Sequence, residues 1–131
     1  MSARGPLRRV LLVEDDPDIQ TVAELALSGI GGLSVEVCGS AREALERAPG
    51  FRPDLILLDV MMPGMDGPSA LRALREIPAT AATPVVFMTA KVQPHEIDRY
   101  RGMGSLDVIS KPFEPATLAA TLCRIWERHE E

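Results

Sequence analysis

The chain has 131 residues, of which 46% are hydrophobic and 25% charged, a balance typical of a folded globular domain and not of a disordered or collagen-like chain. Its net charge of −5 argues against a domain that grips nucleic acid or anionic lipid over its whole surface. The two cysteines, at positions 38 and 123, have no CxxC spacing and fit a reducing compartment. The first apolar run, residues 10–13, is too short for a secretion signal, and no window reaches the ~20 apolar residues of a membrane span. We therefore expect a cytoplasmic protein with no membrane partner and no direct contact to nucleic acid.

Short apolar segments along the chain predict β-strands. Runs at 10–13, 55–58, 85–88 and, more weakly, 106–109 have the length of strands that are covered on both faces in a parallel sheet. Residues 33–38 (LSVEVC) differ, because Leu33, Val35 and Val37 alternate with less apolar neighbours. This alternation predicts one drier and one wetter face, or a position at the sheet edge.

Helical patterns separate these strands. The first starts at Asp16, a capping residue followed by a first-turn proline, and its predicted apolar face consists of Ile19, Val22, Ala23, Ala26 and Ile30. Ser40 and Glu43 form a capping box at the start of the second helix. The third helix ends before Pro78, the fourth starts at Pro94 with Ile97 and Tyr100 turned inward, and the fifth opens at residues 114–115 with a stripe of Leu118, Leu122, Ile125 and Trp126.

Strand and helix thus alternate five times. The alternation predicts an α/β fold in which a doubly wound parallel sheet of (βα)5 type has helices on both faces. In such a sheet the functional crevice lies at the carboxyl ends of the strands. The residues that follow the predicted strands are therefore the first candidates for a functional site.

Carboxylate, hydroxyl and ammonium groups stand where the predicted strands end, at Glu14, Asp15, Asp59, Thr89 and Lys111. In a parallel sheet the three carboxylates meet within a few ångströms, where their repulsion requires protonation or a cation. A site with only oxygen ligands and room for water suits Mg²⁺. Carboxylate, metal, lysine and hydroxyl together predict a site for a phosphoryl group, with Asp59, alone at the end of the central strand, as the nucleophile.

Four stretches resemble the receiver domain of response regulators, the chemotaxis-regulator type of two-component signalling. They are VLLVEDDP (10–17), DLILLDVMMPGMDG (54–67), TPVVFMTA (83–90) and SKPF (110–113), in the order and spacing of that family. Since the likeness covers about residues 7–128, we expect one receiver domain over residues 1–131. The resemblance implies the flavodoxin-like strand order 2-1-3-4-5 and a cis bond between Lys111 and Pro112.

The resemblance also implies a role for each site residue. Asp59 matches the phosphoacceptor, Thr89 the hydroxyl that binds the phosphoryl group, and Lys111 the cation that pairs with it. The implied Mg²⁺ ligands are Glu14, often through water, Asp15, Asp59 and the backbone carbonyl of Met61. The implied phosphodonor is the phosphohistidine of a histidine kinase or a phosphotransfer protein. Such a domain is a signalling module and not an enzyme in the usual sense, because it catalyses only its own phosphorylation and slow dephosphorylation.

The chain departs from the family at Val108, where many relatives carry a Tyr or Phe whose inward rotation accompanies movement of the threonine. The small, stiff valine cannot make that swing, so we expect switching through residues 90–93 or the fourth helix. Met61 and Lys91 occupy the two positions through which relatives vary the lifetime of the phosphorylated state. We predict loss of the phosphoryl group over minutes or longer.

Output is predicted to pass to a downstream protein or output domain through the face formed by the fourth helix, fifth strand and fifth helix. Residues 114–123 carry none of the basic side chains that relatives often place there when they dimerise through this face, so that dimer is not predicted.

Three other functions stay open. Val108 is compatible with a receiver-like scaffold that is never phosphorylated. An aspartate-nucleophile phosphatase of the haloacid-dehalogenase type needs a second aspartate two residues after the nucleophile, where this chain has Met61. A nucleotide or flavin module needs a glycine-rich first strand–helix junction, and residues 14–17 (EDDP) would repel phosphate instead.

Overall fold

A computed structural model describes residues 5–90 and 92–130 of the chain. Within these residues the strands are β1 (Arg9–Val13), β2 (Ser34–Cys38), β3 (Leu55–Asp59), β4 (Val85–Thr89) and β5 (Asp107–Ser110). The helices are α1 (Pro17–Glu24), α2 (Ala41–Phe51), α3 (Gly67–Glu76), α4 (Pro94–Gly102) and α5 (Leu118–Glu130), and a π-helical segment, Leu25–Ile30, directly follows α1. The predicted alternation of strand and helix is confirmed.

The strands form a parallel sheet in the order β2-β1-β3-β4-β5, which confirms the predicted fold class and strand order. The parallel register keeps the carboxyl ends of neighbouring strands level, with Val13 beside Leu58 and Asp59 beside Met88. β2 lies at one edge of the sheet, which confirms the edge position that its sequence pattern allowed. Burial does not alternate along the strand, because Val35, Glu36 and Val37 are all half-buried and Cys38 is buried.

Two hydrophobic cores hold the sheet, one on each face. The first packs β-strand residues against α1 and α5 and includes Leu12, Leu57, Met88, Leu122 and Trp126. The second packs the opposite side chains against α2, α3 and α4 and includes Leu11, Leu58, Leu71, Phe87 and Tyr100. Burial of each such side chain stabilises the fold by about 1.5–3 kcal/mol. Every residue of β3 and β4 is buried, so the strand ends that carry Asp59 and Thr89 rest on a rigid support.

The prediction of which residues form the apolar face of the first helix was wrong in part. Ala23 and Ala26 are buried as predicted, but Val22 and Ile30 are exposed and Leu27 is buried instead. The physical reason is twofold. Val22 lies at the margin of the buried stripe, and the π-helical segment has a wider turn, which rotates the residues after Leu25 away from the α-helical spacing.

Capping residues set where the helices begin. The Asp16 side chain accepts hydrogen bonds from the backbone N–H groups of Asp18 and Ile19, as predicted for the start of α1. Ser40 accepts from the Glu43 N–H, as the predicted capping box requires, but Glu43 accepts from the N–H of Gly39, one residue before the N-cap, instead of from that of Ser40. Each cap satisfies donors that the first helical turn leaves unpaired.

The fifth helix begins later than its sequence suggested. It starts at Leu118 instead of residues 114–115, because residues 115–117 form turns after Glu114. Its buried stripe of Leu118, Leu122, Ile125 and Trp126 is as predicted. The indole N–H of Trp126 donates to the backbone carbonyl of Gly5 at 3.0 Å, which fastens the start of the described chain to α5.

Among the described residues, the helices are all too short or too polar to cross a lipid bilayer.

Candidate functional site

The strand ends bring the predicted acidic residues together. Glu14 and Asp15 follow β1, and Asp59 is the last residue of β3, its neighbour in the sheet. The carboxylate oxygens of these three residues can all lie within 4.8 Å of one another. Glu14 is 1% exposed and Asp59 2%, whereas Asp15 is exposed to solvent. The cluster therefore combines two buried carboxylates with one that faces outward.

Lys111 pairs with the two buried carboxylates. It follows β5, and its Nζ lies 2.8 Å from Glu14 Oε1 and 3.3 Å from Asp59 Oδ1. The peptide bond between Lys111 and Pro112 is cis, as the resemblance implied. One ammonium group thus joins the end of β5 to the ends of β1 and β3.

The local environment changes the acidity of these groups. Burial raises the pKa of Glu14, and the hydrogen bond from Lys111 offsets only part of this effect. The negative charge of Asp59 raises the Glu14 pKa further. Burial opposes the charged form of Lys111, but its hydrogen bond with Glu14 and the charges of both carboxylates raise the Lys111 pKa overall. The lysine therefore stays positively charged at neutral pH.

The donor set of the site fits Mg²⁺. Glu14, Asp15 and Asp59 offer carboxylate oxygens and neither nitrogen nor sulfur, which is the ligand chemistry that this hard cation prefers. The exposed Asp15 leaves one side of the cluster open to water, and Mg²⁺ usually keeps several water ligands. One positive lysine among three carboxylates also leaves negative charge for a cation to balance.

Met61 lies beside the acidic cluster in the loop after β3. Its backbone N–H donates to Asp59 Oδ1 at 3.4 Å, and its side chain is 65% exposed. The role of its carbonyl as a metal ligand stays a prediction. Lys91, the other residue assigned to phosphoryl lifetime, lies outside the described residues.

Thr89 and Val108 lie on the neighbouring strands β4 and β5. Thr89 ends β4 and is fully buried, and it stands opposite Ser110 of β5 in the parallel register. Val108 is half-buried and stands opposite Phe87 of β4. The roles of Thr89 in phosphoryl binding and of Val108 in switching stay predictions.

Two residues that support the site had no assigned role in the sequence. The Gln20 side-chain amide donates to the backbone carbonyl of Glu14 at 2.5 Å and so anchors the turn that carries the acidic pair. A Cβ on Gly67 would lie 2.7 Å from the carbonyl oxygen of Asp59, so only glycine allows α3 to approach the end of β3 this closely. Gly67 stands in a recognised motif, whereas no sequence signal marks Gln20.

Salt bridges connect the three elements of the predicted output face. The Asp107 carboxylate of β5 lies 2.8 Å from the guanidinium of Arg101, a residue of α4. It also lies 3.1 Å from the guanidinium of Arg128, a residue of α5. Both arginines are largely exposed, so each pair stabilises the fold by about 0–1 kcal/mol.

A groove with an apolar lining runs beside the acidic cluster. It has a volume of about 440 Å³ and lies between the first turns of α1 and the segment after β5, lined by Asp18, Ile19, Val22, Lys111, Pro112 and Phe113. Lys111 thus borders both the groove and the acidic cluster.

The fold and the site together define a class of protein. Asp59 belongs to an acidic cluster and pairs with Lys111. The cluster lies at the carboxyl ends of β1 and β3, which is the topological switch point of a flavodoxin-like sheet. The sequence profile described as "Response regulator receiver domain" matches residues 10–123. The chain belongs to this family and is a receiver domain of two-component response regulators.

Individual relatives agree with this assignment. The DNA-binding response regulator MtrA of Mycolicibacterium smegmatis is 36% identical over 124 residues, which cover 95% of this chain and 53% of that protein. The chemotaxis protein CheY4 of Vibrio cholerae has a solved structure that matches with 33% identity and a TM-score of 0.83, over 91% of this chain and 98% of that chain. The chain spans about half the length of the curated relatives it matches.

A third similar protein was solved with a metal. The receiver domain of sensor histidine kinase PA1611 from Pseudomonas aeruginosa has a magnesium ion coordinated in its active site cleft. It shares 33% identity with this chain at a TM-score of 0.78, over 89% of this chain and 95% of that one.

Proposed function

We propose that the chain accepts a phosphoryl group on Asp59 in a Mg²⁺-dependent reaction and that the modified domain controls a partner. The observation that carries this proposal is the placement of Asp59, a buried carboxylate with Lys111 Nζ at 3.3 Å, inside a cluster of oxygen ligands. We also propose that residues 1–131 act as one receiver domain. The predicted cytoplasmic location stays a prediction.

Asp59 is proposed as the nucleophile. A carboxylate oxygen of Asp59 forms a bond to phosphorus while the bond from phosphorus to the donor nitrogen or oxygen breaks, which gives an acyl phosphate. With a phosphohistidine donor, the electron pair of the P–N bond goes to the imidazole, which takes up a proton from water. Of the side chains in the cluster, Asp59 is the buried carboxylate that ends a central strand and is therefore the most firmly positioned.

The surrounding residues prepare the site for a transferred anion. Lys111 already contacts Asp59 and supplies positive charge for the oxygens of the phosphoryl group. Glu14 and Asp15 would hold Mg²⁺ together with Asp59 and the carbonyl of Met61. Mg²⁺, when bound, supplies charge that balances the carboxylates and the incoming phosphoryl oxygens. The Thr89 hydroxyl, at the end of the adjacent strand, is proposed to donate to the phosphoryl group.

A phosphodonor protein is proposed to dock over the groove beside Lys111. The groove is apolar, and the exposed Val22 and Leu25 extend the apolar surface along α1 and the π-helical segment. Burial of this surface would bring a donor histidine next to Asp59. The proposed donor is a histidine kinase or a phosphotransfer protein. Output is proposed to leave through α4, β5 and α5 to a protein partner or an output domain, without direct contact of this domain to nucleic acid.

The reaction is tested by incubation with acetyl phosphate and Mg²⁺, followed by intact mass measurement. We expect a gain of one phosphoryl group that is lost in the Asp59→Asn variant and in the presence of EDTA. The Asp54→Asn variant is the matched control, because Asp54 lies at the other end of β3, where it accepts from the Arg8 and Arg9 N–H groups. A wild-type protein that gains no mass with Mg²⁺ present would instead indicate a scaffold that is not phosphorylated. Continuous release of phosphate from phosphate esters would indicate a phosphatase.

A further inference from the structure

Tyr100 is the residue through which α4 is anchored in the protein core. It is 1% exposed, and it is the buried residue of α4 (Pro94–Gly102), all of which the structure describes. Glu96 and Ile97 are half-buried, and the other residues of the helix are exposed. The position of α4 against the sheet therefore depends on what Tyr100 contacts.

Tyr100 packs against Phe87 of β4. The two ring centroids are 5.3 Å apart and the rings are inclined at 78°, which is the edge-to-face arrangement that aromatic pairs favour. Phe87 is fully buried and belongs to the same hydrophobic core as Tyr100. The contact therefore has little freedom to slide, because close-packed side chains move together or change to another discrete arrangement.

Val108 lies next to Phe87 on the neighbouring strand β5. It stands opposite Phe87 in the register of β4 and β5, and it packs against the same core as Phe87 and Tyr100. A side chain the size of valine next to Phe87 leaves space for a tyrosine ring that comes from the helix. The aromatic group missing from β5 thus has a counterpart on α4.

Phe87 also leads directly to the proposed phosphoryl site. Phe87 and Thr89 are two residues apart in β4. Because successive side chains of a strand point to opposite faces, these two point to the same face. Thr89 and the Phe87 ring are thus joined by a short, completely buried strand.

We propose that Tyr100 couples the phosphoryl site to the output face, through its contact with Phe87, in place of the aromatic residue that relatives carry at position 108. This inference rests on the proposed function. Movement of Thr89 toward a phosphoryl group displaces Phe87 against Tyr100, and α4 moves with Tyr100 because the ring is its buried anchor. Tyr100 is a coupling residue and takes no part in the chemistry at Asp59.

The variants Tyr100→Leu and Tyr100→Phe test this coupling. Each is treated with acetyl phosphate and Mg²⁺, the adduct is measured by intact mass, and hydrogen exchange of α4 amides is compared with and without phosphorylation. We expect both variants to gain the phosphoryl group. The change in α4 exchange should fall by at least about fivefold in Tyr100→Leu, as expected when a coupling free energy is removed. It should persist in Tyr100→Phe, because phenylalanine keeps the ring.

Wild-type protein provides a second readout that does not depend on the folding of a variant. The chain contains one tyrosine, so selective ¹³C labelling of tyrosine gives ring signals in NMR spectra that belong to Tyr100 alone. We expect these signals to shift on phosphorylation of the wild type and to stay unchanged when Asp59→Asn is treated in the same way.

The outcomes separate the inference from the function on which it rests. If wild-type protein gains no phosphoryl group, the proposed function fails and the coupling fails with it. If it does gain one, but α4 exchange responds equally in Tyr100→Leu, the coupling alone is overturned. Tyr100 ring signals that stay fixed while phosphorylation shifts the α4 amides would overturn it as well.

Discussion

Removal of the Lys111 charge should destabilise the metal-free protein measurably. Lys111→Met keeps the length of the side chain but leaves Glu14 and Asp59 buried without their cation. At an effective dielectric constant of about 20, the attraction is about 6 kcal/mol at the 2.8 Å distance to Glu14 and about 5 kcal/mol at the 3.3 Å distance to Asp59. Most of this attraction is cancelled by the cost of removing the ammonium group from water.

Loss of one partner from a buried ion pair typically costs about 3–5 kcal/mol. Because 19% of the Lys111 side chain remains exposed, we expect a value below this range, about 2 kcal/mol. The assay is urea unfolding at neutral pH in EDTA, with Lys111→Arg as the control that keeps the positive charge. Addition of Mg²⁺ should return part of the lost stability, because a cation that binds only the folded state stabilises it. Equal unfolding free energies for Lys111→Met and the wild type in EDTA would refute the account of this site.

Three further predictions concern residues around the site and in the core. Cys38 is fully buried, and burial raises its pKa to about 11. Iodoacetamide at pH 8 should therefore leave Cys38 unmodified in the folded protein and label it in urea. Rapid labelling of Cys38 without urea would contradict the structure. Asp66 caps α3, and Asp66→Ala should lower the unfolding free energy by about 1 kcal/mol while Asp66→Asn changes it less. A hydrogen bond from a backbone N–H lowers the pKa of Asp66 in the folded protein, so the stability contribution of this cap is present at neutral pH and disappears as the pH falls through the folded pKa. The unfolding free energies of Asp66→Ala and wild type should therefore become equal in acid. A difference that stays constant across that pH range would contradict this prediction. Gly67→Ala should shift the end of β3 and lower the unfolding free energy by about 1–3 kcal/mol through overpacking. It should also slow the phosphorylation of Asp59 by acetyl phosphate. An unaltered denaturation midpoint would show that the added methyl group is accommodated without loss of stability.

Much of the fold and the acidic cluster follows from local patterns combined with one rule of topology. Short apolar runs predict buried strands, and parallel strands bring their carboxyl ends to one edge of the sheet. These two steps are enough to place Glu14, Asp15 and Asp59 together from the sequence alone. Lys111 joins them because it follows a strand of the same sheet, two strands away from β3.

Other features depend on tertiary contacts that periodicity does not encode. The inward position of Tyr100 was predicted from its helix, but its pairing with Phe87 depends on how α4 lies over β4 and β5. The π-helical segment at Leu25–Ile30 has no recognisable sequence signal, and it displaces Ile30 from the predicted apolar face. The anchor from Gln20 to the carbonyl of Glu14 likewise appears only when the turn after β1 closes against α1.

The central claim, that Asp59 receives the phosphoryl group, has a direct chemical test. Protein treated with acetyl phosphate and Mg²⁺ is reduced with borohydride, which converts an aspartyl phosphate to homoserine, and tandem mass spectrometry then locates the changed residue. We expect homoserine at position 59 and at no other aspartate. Homoserine at position 15 or 54, with Asp59 unchanged, would contradict it.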